Sequence, residues 1–326
     1  MLFQTLHMPG VYTHLAENEA ASYNFRDIIT ILEHAVENCL LLDDEEGRIS
    51  RSIGSAIGGW PDTERKKADE LWSYLKSRRL VKIRACTANH CGCHFAGCSH
   101  AIERIGCPKV EMVLALNSCG ECSAFSNSVL PSQYIYSPFA TKRLANKAIE
   151  LNNSEWDRVE FEQQVWQPLF QHARIVKIYD RYISRSVRFG SNGSCTLSDN
   201  FERGLDWLID QYVKFGQSQN KQLEIYCGVM PNWSYDKALA TATFMRGWEQ
   251  QHTQQKGIPI TVKVIHERPD DQMNHVRVLI TNQIAIKVER GFDLLGDDNR
   301  VRDVMLSHVL NPEKYENHIR QMSAVI

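Results

Sequence analysis

Apolar residues recur at intervals of three and four between Phe25 and Leu42, at Ile28, Ile31, Leu32, Ala35, Val36 and Cys39, and this spacing predicts an amphipathic helix. The stretch "GSAIGGWP" breaks the pattern, and a second stripe at Ala68, Leu71, Trp72 and Leu75 predicts a helix that runs into the short β-rich segment "LVKIR". From about Glu155 the period changes. "RIVKIYD", "LEIYCGV", "IPITVKVIH", "HVRVLIT" and "IAIKVE" read as strands. Between the first three lie helical patterns: "SDNFERGLDWLIDQYVKF", with Phe201, Leu205, Leu208, Ile209, Tyr212 and Val213 inward, and Tyr235 to Gln251. A closing helical segment is expected from about Arg300, interrupted near Pro312. Strands alternating with crossover helices predict an α/β fold with a mainly parallel sheet and an antiparallel last pair.

Four segments follow: residues 1–85, helical; 86–125, rich in cysteine; 126–155, a linker containing Pro131, Pro138 and several Ser and Asn; and 156–326, an α/β sheet domain. In the first, a helix, a basic turn and a β-rich segment in succession resemble a winged helix, with Lys76, Arg78, Arg79, Lys82 and Arg84 as the most basic run in the chain. The plainer reading of these charges is the solvated end of a helix.

A chain of 326 residues that is 43% hydrophobic can bury a substantial core, and a net charge of −2 argues against wholesale binding of polyanions while leaving room for local basic patches. No apolar run reaches the roughly 18 residues of a membrane span. "MLFQTLHMPGVYTHLAENEA" has neither a basic n-region nor an uninterrupted apolar core, so a cytoplasmic protein is expected.

Seven of the ten cysteines crowd into residues 86–122, a pattern that favours metal over disulfides. The "CGEC" turn delivers Cys119 and Cys122 to one ion, and Cys91, Cys93, Cys98 and Cys107 are the natural further ligands. Cys86, His90, His94 and His100 offer alternatives. Structural zinc is favoured over catalytic zinc because the donors are mostly thiolates. Scattered free cysteines and an iron–sulfur or redox pair are the competing readings.

In "MNHVRVLITNQIAIKVERGFDLLG", residues two apart share a strand face, which places His275 beside Arg277. An imidazole next to a guanidinium suits phosphoryl transfer, whereas a solvated polar strand face is the simpler account. Here the chain resembles the phospholipase D-like superfamily, whose motif is H-x-K-x4-D. His275 falls at the His, Arg277 at the Lys and Asn282 at the Asp. The later "RGFDLL" and the earlier "RIVKIYDRYISR" are similar to the module found behind MIT domains and in related bacterial proteins.

The resemblance covers about 155–326 and implies a phosphodiester site, completed in single-motif members by a homodimer. Arg277 preserves phosphate recognition. Asn282 lacks the charge that supports a catalytic imidazole, and a second motif is missing from the sequence. The expectation is therefore a degenerate domain that binds nucleic acid or another phosphate-bearing ligand. The alternatives are a metal-independent nuclease acting through His275 in a dimer, and a protein-interaction scaffold. The resemblance also suggests a subunit of a bacterial antiphage defence or mobile-element system. Arg174, Lys177, Arg181, Arg185 and Arg188 recur beside this site and could track a phosphate backbone. More plainly, they pair with Asp180, Asp199 and Glu202. Asp180 and Tyr182, and the pair Arg290 and Asp293, are expected to hold turns.

Overall fold

The computed structural model describes residues 3–17, 23–83, 110–116, 127–145, 148–151, 157–191, 193–267, 276–296, 300–309 and 312–325. The chain divides into two compact units, Leu2–Lys147 and Ala148–Ile326. The cysteines expected to bind zinc, Cys91, Cys93, Cys98, Cys107, Cys119 and Cys122, lie outside the described residues, as do Arg84 and His275.

The first unit is built on a sheet. Strands β1 (Phe3–His7), β2 (Cys39–Asp44), β3 (Leu80–Ile83), β4 (Met112–Leu114) and β5 (Ser128–Val129) lie in the order β3-β2-β1-β4-β5, and every pairing is parallel. Helices α1 (Pro9–Glu17), α2 (Phe25–Asn38), α3 (Arg48–Gly58) and α4 (Asp62–Arg78) connect the first three strands. The expectation of a helical, winged-helix region is corrected here, since "LVKI" joins the edge of a parallel sheet beside β2.

The local reasons are visible. Asn24 caps α2 by accepting from the Asp27 N–H, while the Asp27 side chain accepts from the Asn24 N–H, so the helix starts where its apolar stripe does. It stops at Asn38 because Cys39, Leu40, Leu41 and Leu42 are all buried, which suits a strand covered on both faces better than a one-sided helix. "GSAIG" belongs to α3, which buries Ser50, Ile53 and Ile57, so its glycines do not interrupt the helix. Much of the expected linker is ordered: it holds β5, a 3-10 turn at Pro131–Tyr136, α5 (Pro138–Ala145) and β6 (Ala148–Leu151).

The second unit is a seven-stranded mixed sheet ordered β11-β10-β7-β12-β13-β14-β6, from β6, β7 (Ile175–Tyr179), β10 (Gln222–Val229), β11 (Ile260–His266), β12 (Val278–Thr281), β13 (Ala285–Val288) and β14 (Val304–Val309). Strands β8 (Arg188–Phe189) and β9 (Cys195–Thr196) form a separate hairpin. β7, β10 and β11 are parallel, and β12, β13, β14 and β6 add antiparallel ladders. Helix α6 (Asp199–Phe215) lies between β7 and β10 in sequence, α7 (Tyr235–Lys256) between β10 and β11, and α8 (Pro312–Gln321) follows β14.

The segment expected to open a closing helix near Arg300 contains β14 instead. Val304 and Leu306 are buried in alternation with exposed Met305, a period of two that marks a strand. The "HVRVLIT" strand begins at Val278, so Arg277 precedes it. Its residues Val278, Leu279, Ile280 and Thr281 are all buried, as a central strand requires. No helix among the described residues is long and apolar enough to cross a membrane.

Candidate anion-binding site

The parallel strands β7, β10 and β11 end on one edge of the sheet, and the carboxyl ends of such strands are where open α/β sheets bind ligands. Asp180 follows β7 directly and is fully buried. Its carboxylate accepts from the Tyr182 N–H at 2.9 Å and the Phe292 N–H at 3.1 Å, tying the turn after β7 to the "RGFD" segment 112 residues later. Gly291 is required there: its φ is +100°, and a β-carbon would stand 2.5 Å from Asp180 Oδ2 and 2.9 Å from Arg277 Cδ. The Arg277 Nε lies 3.9 Å from Asp180 Oδ1, and its Nη1 donates to the Glu289 carbonyl.

The turn after Asp180 delivers two more guanidiniums. Arg181 and Arg185 each place Nη2 at 2.6 Å from the same oxygen, Glu267 Oε2, and Glu267 follows β11. Glu267 is buried against Gly228 at the end of β10, where an added β-carbon would meet its Cδ at 2.6 Å. Ser184 closes the turn by donating to the Gly228 carbonyl at 2.7 Å. The expected partners of the arginines, Asp180, Asp199 and Glu202, give way to Glu267 for Arg181 and Arg185, and Lys177 faces Glu224 at 3.8 Å.

All three guanidiniums gather on one ring. Arg277 lies 4.6 Å, Arg185 5.5 Å and Arg181 5.9 Å from the centre of Tyr182, which is half-buried. The cluster holds three permanent cations against Glu267 and Asp180. Burial pushes the Asp180 carboxyl up to about 6, against the hydrogen bonds from Tyr182 and Phe292 and the Arg277 charge, which lower it. The site therefore carries net positive charge, and more of it in mildly acidic solution.

The other expected site residues are placed elsewhere. Asn282 sits at the far end of β12, where Oδ1 accepts from the Arg174 and Ile175 N–H groups at 2.7 and 3.3 Å. It fixes the start of β7, whereas Arg277 faces the end of β7, so the two do not share a site. Arg188 is exposed on the β8–β9 hairpin beside exposed Phe189. In the first unit Lys76 is exposed and Arg78 half-buried, but Arg79 is buried, donating to the Val36 and Glu37 carbonyls at 2.9 and 3.3 Å. Arg79 thus caps the C-terminus of α2 and is no part of a surface patch. Arg290 and Asp293 do pair across their turn at 4.0 Å, and Arg302 joins them at 2.9 Å.

A second polar cluster joins the two long helices. Glu202 and Asp206, one turn apart on α6, face His252 on α7 with Nε2 3.5 Å from Glu202 Oε1 and 3.3 Å from Asp206 Oδ1. The three could hold a metal ion. Burial lowers the basicity of His252, but the facing carboxylates of Asp206 and Glu202 outweigh it and push the imidazole up to about 9. No motif in the sequence marks Glu267 or joins Glu202, expected above only as an ion-pair partner, to Asp206 and His252. The i, i+4 spacing of Glu202 and Asp206 on a predicted helix was the available signal. Comparison with family models and with curated proteins found no match to this chain.

Proposed function

We propose that the second unit binds phosphodiesters, with nucleic acid as the foremost ligand, at Arg181, Arg185 and Arg277 around Tyr182. The observation that carries this reading is the convergence of three guanidiniums on one half-buried ring at the carboxyl ends of parallel strands. Guanidinium forks match phosphate oxygens in pairs, and Glu267 and Asp180 hold them in place before a ligand arrives. The hairpin that begins three residues after Arg185 presents Arg188 and Phe189, a cation and an aromatic face of the kind that single-stranded nucleic acid stacks upon.

The test is fluorescence anisotropy with a labelled single-stranded DNA across a salt series. Arg277→Ala is expected to weaken binding and to lower the log–log salt slope by about one. Unchanged affinity and slope in both Arg277→Ala and Arg185→Ala would refute the reading. Cleavage of the probe without added metal, lost in His275→Ala, would move the reading from binding to phosphodiester hydrolysis.

A further inference from the structure

We propose that Glu202, Asp206 and His252 form a site for a divalent transition-metal ion of the zinc class, with a coordination position left for water or an incoming ligand. Their distances are the first argument. A charge-assisted N–H···O bond closes to about 2.7–2.9 Å. The gaps of 3.3 and 3.5 Å from His252 Nε2 to the two carboxylates are longer than that. They match the edge of a tetrahedron around an ion with bonds of 2.0–2.1 Å, roughly 3.3–3.4 Å.

The second argument is how the donors are held. His252 is buried, and its Nδ1 donates to the Trp248 carbonyl at 2.9 Å, which turns Nε2 toward the carboxylates. A backbone acceptor on the far nitrogen is the usual support of a metal-bound imidazole. The Trp248 indole N–H reaches both Glu202 oxygens at 3.1 Å, and the indole stacks on the His252 ring at 3.8 Å. Glu202 and Trp248 also wall a cavity of about 680 Å³, bounded further by Asn200, Arg203, Phe244 and Gln251. Two carboxylates and one imidazole supply three ligands, the number that leaves a position open in reactive zinc sites.

The proton that the two carboxylates favour on His252 competes with the ion and leaves on binding, and the ammonium of Lys256 competes for Asp206. Lys256 Nζ lies 3.1 Å from Asp206 Oδ1 and 2.8 Å from Asp210 Oδ1. Asp210 keeps the ammonium when Asp206 turns to a metal, so the competitor has a place to go. The site is separate from the arginine cluster, and its test does not depend on nucleic-acid binding.

The experiment is titration of the chelator-treated full chain with Co²⁺ alone, followed by visible absorption and calorimetry. The cysteine-rich segment is in the same chain, so the readout is a difference: His252→Ala is expected to bind one equivalent fewer than wild type and to lack the weak bands of a nitrogen–oxygen site. Lys256→Ala, which leaves all three ligands in place, is expected to bind that equivalent about tenfold more tightly. Equal stoichiometry in wild type and folded His252→Ala would overturn the proposal. So would a Lys256→Ala protein whose cobalt affinity is unchanged, a result that holds even if His252→Ala fails to fold.

Discussion

The Asp180 carboxylate occupies the space that a side chain on Gly291 would need, with Oδ2 only 2.5 Å from the position of the absent β-carbon. That close approach joins two segments far apart in the chain and brings Arg277 to the end of β7.

Replacing Gly291 by Ala should therefore destabilise the second unit by more than backbone strain alone, which costs about 1–3 kcal/mol at such a φ. Gly193 separates the two effects: its φ is +80°, but nothing lies within 4 Å of its added β-carbon. Urea unfolding should show Gly193→Ala losing only the strain, and Gly291→Ala losing clearly more. Equal losses would mean that Asp180 moves aside freely.

Glu267 is the shared anion of Arg181 and Arg185, and it is buried. Glu267→Gln keeps the shape and removes the charge. Stability should fall by about 3 kcal/mol, the order expected when a buried ion pair loses one partner. DNA affinity at low salt should rise in the same variant, because the site gains net positive charge. A thermal melt and an anisotropy titration on one sample check both, and unchanged stability would contradict the role of Glu267 as the shared buried anion of the two arginines.

The Asp180 carboxyl, raised to about 6 by burial, predicts a pH dependence with a definite sign. A carboxyl whose folded pKa is raised contributes stability that is complete below its unfolded value near 3.9 and is lost as pH rises through about 6. Ligand binding follows the same direction. As pH falls from 7 to 5, Asp180 takes up a proton, Arg277 loses a competing charge, and affinity for a phosphodiester probe should increase. Asp180→Asn should flatten that pH profile while leaving the salt slope close to wild type.

Arg79 and Lys76 belong to one basic run but differ in burial. Arg79→Ala removes two bonds to the carbonyls at the end of α2 and should cost about 1–3 kcal/mol. Lys76→Ala should stay within about 0.5 kcal/mol. Denaturant unfolding of the two variants distinguishes a cap from a surface charge, and equal stabilities would refute the capping role.

Several elements were readable directly from spacing. α2 buries Ile28, Ile31, Leu32 and Ala35, and α6 buries Leu205, Leu208, Ile209 and Tyr212, as their periods predict. The apolar spacing of α2 runs on through β2, because three leucines in a row fit a helix or a strand buried on both faces equally well. β14 is hidden in the sequence for a related reason: its alternation is short, and a helix beginning at Pro312 follows it closely. The Asp180 bond to the Tyr182 N–H and the pairing of Arg290 with Asp293 are visible as turn chemistry, since each spans two or three residues, whereas the Asp180 bond to Phe292, 112 residues away, is not.

What the sequence determined by itself was local: the α/β alternation in the second half, the apolar stripes of α2 and α6, and the presence of cations after the first strand of that half. Only the tertiary structure decided that Arg181, Arg185 and Arg277 meet at Tyr182, that Glu267 holds two of them, and that Arg79 and Asn282 are spent on backbone contacts. The physical reason is the parallel sheet. Crossover connections of dozens of residues bring β7, β10 and β11 to a common edge, so Glu267 lies more than 80 positions from the two arginines it holds, and no local period records that.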